Sequence, residues 1–139
     1  MIQIIKNRVI ELLGTIPEIK KIFSYPDSSG KDGYPYLMVT WERNDNDVLD
    51  SARDRVVMTF KLTLVQEKLA DFKGADNAEK TTDDRAYKIE QLFRDNNDLG
   101  LPAVQRVWAS ETVKSYDSSA TRIIISTNLK VQTFANVKV

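Results

Sequence analysis

Val56-Val57-Met58-Thr59-Phe60-Lys61-Leu62-Thr63-Leu64-Val65 decides the fold class. Val56, Met58, Phe60, Leu62 and Leu64 alternate with a set that includes Thr59, Lys61 and Thr63. Side chains of a strand point to opposite faces in turn, so this period of two puts one face on a core and leaves the other half polar. The run exceeds the usual length of about five or six residues, and on length alone it is expected to project beyond its sheet. Arg122 to Phe134 repeats the pattern, with Ile123, Ile125, Thr127, Leu129 and Val131 on one face.

The pattern changes on either side of that strand. Ile2, Ile5, Val9, Leu12 and Ile16 recur at steps of three and four, the mark of one apolar helix face. This predicts a helix over residues 2–14, closed by Gly14 and Pro17. Ile19 to Tyr25 reads as a short strand. A turn cluster follows over residues 26–33, and Tyr34-Pro35 restarts an extended chain. Tyr36 to Trp41 is apolar without alternation, which predicts burial on both faces. Arg43 to Asp54 and Lys68 to Asn77 are polar and rich in turn formers, and both are expected to be loops. Thr82, Ala86, Ile89, Leu92 and Phe93 share a helical face, predicting a helix over 82–96 with Thr81 or Thr82 as its cap and Asp83 and Asp84 in its first turn. Ala103 to Tyr116 is a fourth strand, joined to the last by Asp117-Ser118-Ser119-Ala120.

The order is thus α-β-β-β-α-β-β. It predicts a single α+β domain over 1–139, with about five mostly antiparallel strands and two main helices packed on them. At 139 residues the chain suits one domain. The apolar share of 42% and charged share of 29% are those of an ordinary globular chain. No apolar run approaches the ~18 residues of a membrane span, and the first ten residues lack a signal-peptide core. Neither membrane nor export is expected.

Composition closes most chemistry. The sequence has no cysteine and no histidine. Disulfides, thiolate nucleophiles, Cys/His zinc sites and histidine general bases are therefore impossible. Twenty basic and twenty acidic residues cancel, which argues against a dedicated nucleic-acid binder, since phosphate neutralisation supplies most of such affinity. The expectation is a structural or binding role, with no enzyme activity and no cofactor.

The remaining motifs are weak. Ser29-Gly30-Lys31 lacks the glycine five residues before Gly-Lys that a phosphate loop needs: Tyr25 stands there, and Asp32 follows the lysine. Asp45, Asp47 and Asp50 could gather round a hard cation, but an EF-hand begun at Asp45 would place Leu49 and Asp50 where an oxygen ligand and a glycine belong. Lys31 with Asp32, or Asp83 and Asp84 beside Lys88, have no spacing that marks general acid–base work. Trp41, Trp108, Tyr34, Tyr36 and Tyr116 are not interleaved with a basic stripe, so core packing or protein contact is the better reading.

Taken as a whole, the chain resembles the tail terminator, or tail completion, proteins of long-tailed bacteriophages. The resemblance is carried by the amphipathic helix Ile2 to Leu13, by Gly33-Tyr34-Pro35-Tyr36-Leu37-Met38-Val39, and by Asp54-Arg55 leading into the alternating strand. The helix Thr82 to Asn96 and two closing strands complete it. The resemblance implies a subunit of a six-membered ring that caps the tail tube, ends its growth and meets the head connector. The implied partners are other copies of this chain, the tail tube protein and the head–tail connector protein. The implied place is the tail or neck of a virion assembled in the host cytoplasm. A ring of this kind is built head to tail, so each subunit offers two different patches. Loop composition offers Asp45, Asp47 and Asp50 for one contact surface, and Lys68, Asp71 and Lys73 for another. Neck and head–tail joining proteins share much of the pattern. Two further classes compete: a monomeric or dimeric binding module, and a magnesium hydrolase built on Asp45 to Asp50.

Overall fold

A computed structural model describes residues 1–19, 21–26, 33–48, 53–67, 75–119 and 121–136. The order is α1 (Ile2–Leu13), β1 (Lys21–Phe23), β2 (Tyr36–Val48), β3 (Arg53–Glu67), α2 (Ala75–Asp95), β4 (Val104–Tyr116) and β5 (Arg122–Asn136). The five strands form one sheet in the order β1-β2-β3-β5-β4, and the α+β expectation holds.

The two alternating strands are neighbours at the centre of the sheet. They run antiparallel, with Phe60 opposite Leu129 and Leu64 opposite Ile125. Met58, Phe60, Leu62 and Leu64 of β3 are buried, as are Ile123, Ile125, Leu129 and Val131 of β5. Ile5, Val9, Leu12 and Leu13 of α1 and Ala78, Ile89 and Phe93 of α2 join them in one core. Both helices thus lie on the same face of the sheet. A smaller cluster of Phe23, Tyr36 and Val65, with Tyr34 and Met38 against it, occupies the other face at one end. The unbroken apolarity of Tyr36 to Val39 accordingly buries both faces there.

Four expectations need correction. β1 runs parallel to β2, Ile22 opposite Leu37, so the sheet is mixed; the chain crosses over between these strands instead of turning back. β3 does not project, because β5 pairs with it from Arg53 to Glu67. Most of the expected loop from Arg43 is strand: β2 continues to Val48, with Arg43 opposite Thr59 and Asn46 opposite Val56. Pairing with the valines of β3 outweighs the weak strand propensity of Asn and Asp. α2 begins at Ala75, so Thr82 is not a cap; it is buried, and its hydroxyl donates to the Ala78 carbonyl at 2.7 Å. Gly14 closes α1 as expected, in the right-handed region at φ −64°.

The expected turn over 27–32, which includes Ser29-Gly30-Lys31 and Asp32, lies outside the described residues. The Tyr34–Pro35 peptide bond is cis. Among the described residues, no helix is long and apolar enough to cross a membrane.

Candidate assembly surfaces

The sheet leaves two strand edges and one face for contact with other molecules. On the first edge β1 covers Tyr36 to Met38 of β2, and among the described residues no other strand pairs with the outer side of β2. Its register slips between Trp41 and Arg43, a bulge after which Arg43 to Val48 pair regularly with β3. Trp41 is 42% exposed here, and its indole Nε1 donates to Asn44 Oδ1 at 2.9 Å. Arg43 Nε lies 3.4 Å from Asp45 Oδ2, an exposed pair of little energetic weight.

The second edge is β4. Its register slips at Val104/Arg106 and again at Ala109/Glu111, after which Glu111 to Tyr116 pair regularly with β5. From Ser110 onward the strand is exposed, yet it is held firmly from the helix side. Lys114 Nζ donates to Glu79 Oε2 at 2.7 Å and reaches Asp83 Oδ1 at 2.6 Å. Tyr116 donates its hydroxyl to Glu79 Oε1 at 2.7 Å, and Thr112 donates to Glu90 Oε1 at 2.7 Å. Hydrogen bonds to Asp83 and then Glu79 hold the Lys114 ammonium above its ordinary range. The Glu79 carboxylate likewise pushes the Tyr116 phenol up. Asp83 is therefore a partner of β4, two turns inside a helix that begins at Ala75 and not in its first turn. Lys88 is bound to Glu18 at 2.5 Å, which holds that carboxyl below its usual range.

The face away from the helices is polar across four strands. A shallow groove of about 310 Å³ is lined by Glu42, Lys61, Glu111, Val113, Ser126 and Asn128. Lys130 Nζ donates to Thr59 Oγ1 at 2.8 Å on the same side of the sheet. The strand alternation foretold this polar face.

Of the six residues drawn from loop composition, Asp45 stands on the exposed part of the β2 edge, opposite Val57. Asp47 follows on the same strand opposite Arg55, with its backbone alone described. Asp50, Lys68, Asp71 and Lys73 lie outside the described residues. The structure therefore brings Asp45 and Asp47 to one edge as strand residues, not as the tip of a loop. Among the aromatic candidates, Tyr36 is core, while Trp41 and Tyr116 are exposed. Arg106 stacks over Trp108, 4.8 Å from its ring centre. Sequence reasoning missed Glu79 and Lys114; the signal available was α2 itself, whose acidic face only shows once the helix is extended back to Ala75.

No family model matches the chain, and no curated protein matches it. Among solved structures, it is similar to a chain of the virion of native gene transfer agent (GTA) particle. The TM-score is 0.53 and the identity 16%, over 91% of this chain and 84% of that one. At that identity the likeness is one of fold.

Proposed function

We propose that this protein is a structural component of a phage-like virion, and within it the subunit of a ring that caps the tail tube. The observation that carries virion membership is the shared fold: 91% of the chain superposes on a chain of a gene transfer agent virion. The tail-capping position rests on the resemblance of the whole element order to tail terminators. A chain without cysteine or histidine suits a scaffold better than a catalyst, and two unlike strand edges suit a head-to-tail ring. The role is structural, with no cofactor. The partners are further copies of this chain, six in the ring by the resemblance, together with tail tube and head connector.

Negative-stain electron microscopy of the purified protein, over a concentration and salt series, tests this reading. Closed rings with a central hole, and rings seated at one end of tail tubes, are the expected result. A monomer at every concentration that also ignores tubes would return the chain to the class of binding modules.

A further inference from the structure

We infer that the ring closes through its sheets: the free edge of β2 in one copy pairs with the free edge of β4 in the next, giving one continuous barrel. This rests on the ring reading above and names its interface. Four observations lead to it.

Direction comes first. β2 and β3 are antiparallel, as are β3 and β5, and β5 and β4. β2 and β4 therefore run in opposite senses. Copies related by rotation about a ring axis keep one orientation, so β4 of one meets β2 of the next antiparallel, the better-bonded arrangement.

Length comes second. Beyond its last bulge each edge keeps one regular run, Arg43 to Val48 on β2 and Glu111 to Tyr116 on β4. The two runs are equally long, and among the described residues each lies on an outermost side of the sheet, the position from which a further strand can extend it.

Position comes third. The β2 run lies at the level of the end of β5, because Asp45 faces Val57 and Val57 faces Gln132. The β4 run lies near its start, Val113 facing Ser126. Joining the two shifts each copy by roughly six residues, about 20 Å along the strands, for about 19 Å across four strands at standard spacings. Strands so stepped lie at about 45° to the ring axis, the inclination that closed barrels adopt.

Chemistry comes last. The β2 edge bears the exposed Trp41, with Glu42 and Asp45 beside Arg43. The β4 run offers the exposed Val113 and Tyr116 beside Glu111, while the charge of Lys114 is already taken by α2, so the contact is apolar and main-chain in character and not a charge match. The occupant of each edge is thus the other edge of a second copy. All helices then fall on one side of the closed sheet. The helix layer needs the larger circumference, so the polar face with Lys61, Ser126, Asn128 and Lys130 lines the hole.

The absence of cysteine makes the test clean. Asp45 and the trio Glu111, Val113 and Ser115 stand on the face away from the helices. Asp45→Cys is combined in one chain with Glu111→Cys, Val113→Cys or Ser115→Cys, one pair per register, and the assembled protein is oxidised. The expected result is a ladder of covalent multimers from at least one pair, ending in a closed species, with no ladder from any single-cysteine variant. Efficient dimers from Asp45→Cys alone would mean like edges meet, and would overturn the inference. So would intact rings with no crosslink from any of the three pairs; the ring reading would then survive with a different interface. Crosslinked open filaments would keep the edge pairing and reject the capping role. Neither rings nor crosslinks would sink both.

Discussion

Arg8 donates from Nε to the carbonyl oxygen of Leu99 at 2.8 Å, joining residues 91 apart in sequence. Leu99 is fully buried, and its backbone is left-handed at φ 56°. An L-residue pays about 1–2 kcal/mol for that conformation. The hydrogen bond from α1 and the burial of the leucine side chain offset it, and together they fix the turn that ends α2. Arg8→Ala should cost about 1.5–3 kcal/mol, the usual range for a hydrogen bond from a charged donor. Leu99→Ala should cost about 2–5 kcal/mol through the cavity it leaves. Urea unfolding midpoints of the two variants measure both.

The period-two reading of β3 makes a sharp contrast between neighbours. Phe60→Ala should destabilise by about 3–5 kcal/mol, since its ring is fully buried in the core. Thr63→Ala, on the opposite face, should change stability by no more than about 0.5 kcal/mol. Equal losses at the two positions would contradict the assignment of faces.

The clamp of α2 on β4 should fail in alkali. The pKa values of Lys114 and Tyr116 are raised by their acidic partners. Each therefore adds stability that is complete below its unfolded pKa, about 10, and is lost as pH rises through its folded value. Glu18 has the opposite sign: its lowered pKa adds stability above about 4.3 that is lost as pH falls through the folded value. Thermal melts from about pH 2 to about pH 12 should show an alkaline limb that Lys114→Met with Tyr116→Phe makes shallower. Glu18→Gln should flatten only the acid limb.

Hydrogen exchange should find the same clamp locally. With Lys114→Met, amides of residues 110–116 should exchange faster while those of β3 and β5 keep their protection. Uniform acceleration would mean that Lys114 supports the whole domain.

Trp41 is the exposed anchor of the β2 edge, and its substitution should separate assembly from folding. Trp41→Ser should leave the melting temperature within a few degrees, because the side chain is exposed and stands outside the core. Ring formation, followed by analytical ultracentrifugation, should shift to at least about tenfold higher concentration. Charge reversal at Asp45 should act in the same direction, since Asp45 stands on that edge.

Much of this architecture could be read before folding, because β3 and β5 carry an alternation that only a half-buried strand explains. α1 was equally plain, its stripe of Ile5, Val9 and Leu12 being buried as expected. The first turns of α2 were not, because ahead of Thr82 the buried contact is made by Ala78, a residue too small to mark a helical face. The far end of β2 hid for a related reason. Asn44, Asp45 and Asn46 have turn chemistry, and their strand state depends on Met58, Val57 and Val56 across the ladder. Pairing of that sort is not written in either segment alone. Nor was the parallel setting of β1, whose three residues carry too little pattern to reveal a direction. Of the contact residues drawn from composition, Asp45 and Asp47 came to one edge by way of that same pairing.

The middle of the sheet is completed by the strand that comes last in the chain. β5 stands between β3 and β4, and its partner residues in β3 precede it by a long stretch, as with Thr59 and Lys130. On the ribosome, β2 and β3 emerge well before the strand that separates β3 from β4 has been made. The hairpin must wait with one side of β3 bare, and pairings of such sequence separation are slow to form. Neither outer edge can take its final position until about residue 136 is free of the exit tunnel. The order of synthesis therefore leaves β3 and β4 without their shared neighbour until β5 has been made.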